Sequence, residues 1–174
     1  MTQLISTSSK LLQRALPLLL EGCNILDLAC GTGRNGCYLA SLGHKVTYLD
    51  RSSDALNAIK HHVIDGEYVC VDLETQPPYQ FPKSTFDVVV VVRYLHRPLM
   101  NSIIEAIKPG GLIVYETFTH QQATIGRPKN PDFLLNEGEL AQHFTDFESL
   151  YQFEGLDELQ QAYIGQFIGR KNQD

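Results

Sequence analysis

Residues 26–40 read LDLACGTGRNGCYLA, and this stretch decides the fold. An apolar run leads into three spaced glycines, Gly31, Gly33 and Gly36, and a helical pattern follows them. Glycines at this spacing let a buried strand turn sharply into a helix whose first turn meets a ligand. An acidic residue, Asp27, lies four positions before the first glycine. The stretch therefore predicts a strand–turn–helix unit, and the acid bears on which ligand it binds.

Strands and helices alternate on both sides of this unit, with glycine and proline at their boundaries. The predicted strands are 24–29, 45–50, 67–73, 86–92, 112–118, 147–153 and 162–170. The predicted helices are 8–20, 34–42, 53–63, 98–107 and a short one over 136–144. We expect an irregular connection over 74–85, a tight turn at 108–111 and a long polar loop over 119–135.

The alternation predicts a doubly wound α/β sheet with helices on both faces. The connection between the last two strands is too short for a helical crossover, so these strands should form an antiparallel hairpin. The fold class is then a Rossmann-like, seven-stranded, mostly parallel sheet with an antiparallel C-terminal hairpin. A length of 174 residues indicates a single domain, residues 1–174.

Three acidic residues end successive predicted strands. They are Asp27, Asp50 and Asp72. In a dinucleotide turn the phosphate lies on the helix N-terminus, where the buried carboxylate of Asp27 would repel it. A cation such as an α-amino group suits Asp27 better. An acid at the end of the second strand binds ribose hydroxyls in either ligand class, and Asp72 can accept from an adenine amine. An adenosyl ligand without a pyrophosphate is therefore favoured over a dinucleotide.

The sequence resembles the class I S-adenosylmethionine-dependent methyltransferases. The matching motifs are ILDLACGTG, VTYLD, VDL at 71–73, FDVVVVV and IKPGGLIVYETF, followed by the terminal hairpin. Within that class GRNGCYLASLGHKV resembles the small bacterial tellurite-resistance-type methyltransferases. The resemblance implies S-adenosyl-L-methionine as the cofactor and no metal.

The resemblance also implies roles for individual residues. Asp27 meets the methionyl amine, Asp50 the ribose, Asp72 the adenine amine, and Leu73 packs on the adenine. The residues that it places at the cofactor are Asp27, Gly31, Gly33, Arg34, Asp50, Arg51, Asp72, Leu73 and Arg93. Ala29 replaces a glycine of the family pattern, and we expect this position to pack without contacting the ligand.

The acceptor should lie beyond the central strand and the fifth strand. The candidate catalytic residues there are Tyr94, His96 and Glu116, the last two as possible general bases. The candidate substrate-binding residues are Arg97, His120 and Arg127, which suit a small-molecule or anionic acceptor. The loop 119–135 and the N-terminal helix are candidate lids.

Composition limits the other possibilities. A net charge of −6 makes nucleic acid an unlikely partner. No apolar run is long enough to cross a membrane and no secretory signal is visible, so we expect a cytoplasmic monomer or homodimer. Two alternatives stay open: a NAD-dependent oxidoreductase, on the glycine spacing alone, and a non-catalytic S-adenosylmethionine-binding module.

Overall fold

The computed structural model describes residues 8–173, and it contains a seven-stranded sheet in the order β3-β2-β1-β4-β5-β7-β6. The strands are β1 Asn24–Leu28, β2 Lys45–Asp50, β3 Glu67–Cys70, β4 Phe86–Val92, β5 Ile107–Phe118, β6 Phe147–Asp157 and β7 Ala162–Lys171. The helices are α1 Lys10–Ala15, α2 Arg34–Ser41, α3 Ser53–Lys60, α4 Met100–Ala106, α5 Gln122–Ile125 and α6 Glu139–His143. The predicted fold class is confirmed.

The strand order reverses between β1 and β4. Strands β1 to β5 pair in parallel, whereas β7 pairs antiparallel with both β5 and β6. From β1 the chain moves outward to β2 and β3, and it then returns to start β4 beside β1. Ligands of open α/β sheets bind at such a reversal, beyond the carboxyl ends of the strands. The topology therefore directs attention to the residues that follow β1 and β4.

The core lies in two layers, one on each face of the sheet. Successive valines of β4 point to opposite faces: Val88 and Val90 pack with α1, α2 and α3, whereas Val89 and Val91 pack with α4 and α6. This strand is buried on both faces, as its run of β-branched residues predicted.

Several element boundaries differ from the prediction. The first helix ends at Ala15, where Pro17 forces a 3₁₀ turn, and β3 ends at Cys70, so Asp72 lies in the loop beyond it. The expected turn at 108–111 is included in β5, which starts directly after α4 with an irregular register. The hairpin strands are longer than predicted, and they leave a turn of only four residues, 158–161.

The segment 119–135 is more ordered than a polar loop. It contains α5 and the 3₁₀ turn Pro131–Phe133, and Thr119 bridges Leu135. The side chain of Gln122 donates to the Arg127 carbonyl and accepts from the Tyr163 amide. Across residues 8–173, none of the helices is long and apolar enough to cross a membrane.

Candidate active site

The loop after β1 turns through three residues with a left-handed backbone. Their φ angles are +52° at Ala29, +53° at Gly31 and +73° at Gly33. Glycine adopts this conformation freely, whereas a residue with a Cβ pays about 1 kcal/mol or more. Gly33 is also tightly packed, because a Cβ there would lie 2.6 Å from Cδ1 of Ile59 on α3. Backbone conformation and packing thus explain the first two glycines of the motif.

The third glycine brings α2 against the sheet. A Cβ on Gly36 would lie 2.4 Å from the Tyr48 ring and 2.8 Å from Oδ2 of Asp27. With no side chain in the way, the Gly36 amide donates a hydrogen bond of 2.8 Å to that oxygen. The third glycine is therefore needed for the hydrogen bond to the buried Asp27 carboxylate, whereas the first two are needed for the turn.

Asp27 is only 3% exposed, and its charge is poorly compensated. Burial raises the pKa of this carboxyl to about 7, although the Gly36 amide and the Arg34 guanidinium favour the ionised form. Among residues 8–173, only its Oδ2 atom accepts a hydrogen bond. A cationic group placed beside Asp27 would complete its ionisation.

Asp50, the last residue of β2, joins two loops. Its Oδ2 accepts from the Gly31 amide at 2.8 Å, and its Oδ1 accepts from the Ser52 amide at 2.9 Å. An ionised carboxylate offers about four acceptor positions, so two of them remain for a ligand. Asp50 can thus hold the glycine loop and bind hydroxyl groups at the same time.

Asp72 and Leu73 follow β3 in the next loop. Asp72 is exposed, and its Oδ1 accepts from the Glu74 amide at 2.9 Å. Leu73 is buried against the core. The exposed carboxylate and the buried apolar side chain present adjacent polar and apolar surfaces.

These residues surround two neighbouring cavities, which we call the strand-end cavity and the glycine-loop cavity. The strand-end cavity, about 400 Å³, is lined by Ala29, Asp50, Arg51, Val71, Asp72, Leu73, Glu74, Arg93, Tyr94, Leu95, Thr117, Phe118, Pro128 and Phe133. The glycine-loop cavity, about 290 Å³, is lined by Asp27, Ala29, Cys30, Gly31, Thr32, Arg34, Asn35, Val92 and Arg93. Ala29 and Arg93 line both cavities, so Ala29 faces the proposed ligand space although we expected it only to pack.

Arg93 lies at the boundary between the two cavities. Its backbone is left-handed, with φ +63°, and its guanidinium lies over the Phe118 ring at 4.1 Å. The guanidinium also faces Glu116 at 3.4 Å and donates to Gln160 of the β6–β7 turn. Within the described chain, its Nη1 atom is buried without a hydrogen-bond partner. Buried donors are normally paired, so Nη1 is available to a ligand.

The chain is similar in sequence to known proteins. A family profile described as "Methyltransferase domain" matches residues 25–111, half of the chain. The probable S-adenosyl-L-methionine-dependent methyltransferase TehB of Haemophilus influenzae is 32% identical over 154 residues, which cover 81% of this chain and 51% of TehB. The chain belongs to the S-adenosylmethionine-dependent methyltransferases.

Two further comparisons agree with this family. The ubiquinone biosynthesis O-methyltransferase of Idiomarina loihiensis is 32% identical over 107 residues, 56% of this chain and 43% of that protein. The crystal structure of TehB from Haemophilus influenzae has a TM-score of 0.74 at 23% identity, covering 96% of this chain and 63% of that structure. The chain spans about half the length of the curated relatives that it matches. S-adenosyl-L-methionine is the cofactor of this family.

The structure brings together the residues that the sequence nominated for this cofactor. Eight of the nine line the two cavities: Asp27, Gly31, Arg34, Asp50, Arg51, Asp72, Leu73 and Arg93. The ninth residue, Gly33, lies in the same loop, directly before the first residue of α2. The nicotinamide alternative loses its support, because Asp27 occupies the position where a pyrophosphate would need positive charge.

The candidate general bases do not line the two cavities. Glu116 is fully buried, bonded to Gln166 and facing Arg93, and its catalytic role stays a prediction. His96 precedes a 3₁₀ turn, does not line either cavity, and within residues 8–173 its Nε2 is buried without a partner. Tyr94 does line the strand-end cavity.

The three predicted acceptor-binding residues lie elsewhere. Arg97 forms a bidentate ion pair with Glu139 at 2.6 and 2.8 Å. His120 contacts Asn136 and lines a separate cavity of about 580 Å³ beside β6. Arg127 is exposed, and its neighbour Pro128 lines the strand-end cavity in its place. None of the three lines the strand-end cavity, and their contact with the acceptor stays a prediction.

Sequence reasoning missed most of the apolar wall. These residues are Val71, Leu95, Thr117, Phe118, Pro128 and Phe133. Two of them, Pro128 and Phe133, lie in the segment 119–135 that its length marked as functional. The contact of Gln160 with Arg93 spans 67 residues and had no local signal.

We expect Arg97→Ala to destabilise the protein without affecting cofactor binding. Arg97 also donates to the carbonyls of Asp132 and Leu134, so its loss removes four hydrogen bonds. The buried Glu139 carboxylate then keeps only its contacts with Asn136 and His143. The free energy of unfolding should fall by about 2–3 kcal/mol. Urea denaturation measures this, and the affinity for S-adenosylhomocysteine should stay within about twofold of wild type.

The exposed ion pair Lys83–Glu105 provides the control. Lys83→Ala should change stability by less than about 1 kcal/mol. Burial opposes the ionised form of Glu139, yet its bonds to Arg97 and to the Asn136 amide lower its pKa to about 2. The stabilisation by this pair is present above pH 4.5 and is lost as the pH falls towards 2. An Arg97→Ala variant with wild-type stability would contradict the structural role.

Proposed function

We propose that this protein transfers the methyl group of S-adenosyl-L-methionine to a small-molecule acceptor. The observation that carries the proposal is the arrangement of Asp27, Asp50 and Asp72 around two cavities that meet at Arg93. Each acidic group matches one part of the cofactor: a cation, a pair of hydroxyls and an exocyclic amine. Because this cofactor has no phosphate group, the site needs no lysine or arginine to bind one.

The residues present fit the cofactor. The Asp27 carboxylate lines the glycine-loop cavity, where it can pair with the methionyl ammonium. The unpartnered Nη1 of Arg93 is suited to the methionyl carboxylate. Asp50 has free acceptor positions for the ribose hydroxyls, and Leu73 offers an apolar surface for the adenine.

The cofactor supplies a methyl group activated by the positive charge of its sulfonium. Transfer is an in-line displacement: the acceptor lone pair forms the new bond to carbon, and the electrons of the carbon–sulfur bond stay on sulfur. The protein contributes alignment and a site with little water. The apolar wall of the strand-end cavity and the buried ion pair beneath it suit that task.

The acceptor atom has to bring its own nucleophilicity. Glu116 is sealed beneath Arg93, and burial raises the pKa of the Tyr94 hydroxyl, with Glu74 and Asp72 adding to the effect. Tyr94 therefore stays protonated near neutral pH, and its hydroxyl can donate a hydrogen bond to the acceptor. A thiolate or another soft nucleophile needs no dedicated base.

Calorimetry and a methyl-transfer assay test the proposal. S-adenosylhomocysteine should bind in the micromolar range while NADH does not bind, and a labelled methyl group should reach thiol acceptors. Binding without transfer to any acceptor would favour the alternative of a non-catalytic module. Absence of S-adenosylhomocysteine binding would refute the proposal.

The setting of the reaction is part of the same proposal. All four cysteines are free thiols, and a net charge of −6 does not suit a nucleic-acid partner, so we propose one cytoplasmic domain over residues 1–174. The protein would act as a monomer or a homodimer, and light scattering distinguishes these two states.

A further inference from the structure

The strand-end cavity divides into a polar half and an apolar half. Asp50, which ends β2, and Asp72, which follows β3, lie in the polar half. The opposite wall comes from the ends of β4 and β5 and from the segment after β5. Its residues are Tyr94, Leu95, Thr117, Phe118, Pro128 and Phe133. Under the proposed function the first half takes the nucleoside, which leaves the second half for the acceptor.

The charges that line this cavity disfavour an anion. Its two cations are Arg51 and Arg93, and Arg93 already faces the buried carboxylate of Glu116 at 3.4 Å. Three carboxylates line the same space, from Asp50, Asp72 and Glu74. Binding an anion would therefore require positive charge that the wall does not supply.

The aromatic side chains of the wall are open to a ligand. Phe133 is 42% exposed although it is a large apolar residue, and it lies on the short 3₁₀ turn Pro131–Phe133. Pro128 and Phe118 line the same cavity. Covering exposed apolar surface of this kind with an apolar molecule is favourable, because it removes that surface from water.

Tyr94 adds one polar group to this apolar wall. Within the described residues its hydroxyl is buried and has no hydrogen-bond partner. Its carbonyl accepts from the Tyr115 hydroxyl at 3.0 Å, which holds the backbone of Tyr94 in place. A buried hydroxyl normally has a partner, so the Tyr94 hydroxyl is free to bind a polar atom of the acceptor.

We infer that the acceptor is a flat, largely apolar molecule, uncharged apart from its reacting atom, with a polar atom that bonds to the Tyr94 hydroxyl. This inference rests on the proposed function and narrows it. It removes the anionic acceptor that the sequence had allowed, since Arg97 and Arg127 do not reach the cavity. An inorganic oxyanion lacks the apolar surface that this wall would cover.

Binding to the protein saturated with S-adenosylhomocysteine tests the inference. The probes are 4-methylphenol, 4-hydroxybenzoate and selenite, of which the first two differ by one carboxylate. We expect 4-methylphenol to bind at least about tenfold more tightly than either anion by calorimetry. Equal or tighter binding of an anion, or no binding of 4-methylphenol, would overturn the inference.

Variants of the wall supply the second measurement. Phe133→Ala should weaken 4-methylphenol binding by roughly tenfold, and Tyr94→Phe by roughly threefold to tenfold. The affinity for S-adenosylhomocysteine should not change in Phe133→Ala. Ile64→Ala, at an exposed apolar residue that does not line the cavity, is the matched control. Unchanged phenol binding in both wall variants would also contradict the inference.

A titration of S-adenosylhomocysteine alone separates the two proposals. If that ligand does not bind, the proposed function fails before the acceptor is considered. If it binds normally and the anions are preferred, only the inference about the acceptor fails.

Discussion

Replacing Asp50 by alanine should lower the affinity for S-adenosylhomocysteine by at least about 100-fold, because the two charge-assisted hydrogen bonds that we propose it makes to the ribose would be lost. Each such bond contributes about 1.5–3 kcal/mol, and about 1.4 kcal/mol corresponds to tenfold in affinity. The same change also frees the amides of Gly31 and Ser52, which Asp50 now holds at 2.8 and 2.9 Å. The glycine loop then loses part of its preorganisation, which adds to the loss of affinity.

Calorimetry with purified variants measures this effect. Asp50→Asn keeps one carboxamide oxygen and should lose less affinity, roughly tenfold. Asp65→Ala removes an exposed carboxylate from the loop before β3 and should bind as wild type does. Circular dichroism confirms that each variant is folded. If Asp50→Ala binds within about threefold of wild type, the ribose assignment is wrong.

Eight of the nine residues that the sequence nominated for the cofactor line the two cavities, because the signals that nominated them are local. The glycine spacing sets the turn after β1, and an acid that ends a parallel strand must reach the same sheet edge as its neighbours. Asp27, Asp50 and Asp72 are therefore brought together by topology alone. Asp72 lies two residues beyond β3, yet it still reaches the cavity.

Among the residues nominated for the acceptor and for catalysis, Tyr94 lines the strand-end cavity, whereas Glu116 does not because strand β5 is buried on both faces. A continuous apolar run does not reveal which residues face which side. In the structure Val114 packs on the face of α1, and Tyr115 packs on the face of α4. Glu116 consequently points away from the strand-end cavity, and Thr117 lines it. Successive residues of a strand point to opposite faces, so Glu116 is a buried ion-pair partner while the next residue, Thr117, lines the cavity.

Non-local pairs account for the remaining errors. The partner of Arg97 is Glu139, 42 residues later, and no local pattern connects them. Asn136 and Glu139 predicted a helix start, and Glu139 does accept from the Asn136 amide at 2.7 Å, but α6 starts three residues later than predicted, with Gly138 as its N-cap. The same carboxylate therefore makes a local hydrogen bond that the sequence indicated and a distant ion pair that it did not.

Replacing Asp27 by asparagine should stabilise the protein and weaken cofactor binding at once. The carboxamide oxygen can still accept from the Gly36 amide, while the cost of a buried charge disappears. In the absence of ligand, the carboxyl has a pKa of about 7 in the folded protein against 3.8 as a reference. The folded state thus holds a proton that the unfolded state has lost between pH 4 and pH 7.

The sign of the pH dependence follows from that difference. Where the folded state binds more protons, stability falls as the pH rises, so Asp27 destabilises the wild type increasingly from pH 4 to pH 7. A pKa difference of one unit corresponds to about 1.4 kcal/mol. At pH 8 the free energy of unfolding of Asp27→Asn should therefore exceed that of the wild type by a few kcal/mol. At pH 4 the two proteins should have nearly equal free energies of unfolding. Urea denaturation at both pH values measures this.

Cofactor binding should respond to pH in the opposite direction. The methionyl ammonium requires the ionised form of Asp27, which rises from about one tenth at pH 6 to about nine tenths at pH 8. The affinity of the wild type for S-adenosylhomocysteine should therefore increase by about tenfold over that range. In Asp27→Asn the affinity should be about 10- to 100-fold lower at pH 8 and should not depend on pH between 6 and 8. If the variant keeps both the wild-type affinity and its pH dependence, Asp27 does not bind the ammonium, and its burial serves only the packing of α2 on the sheet.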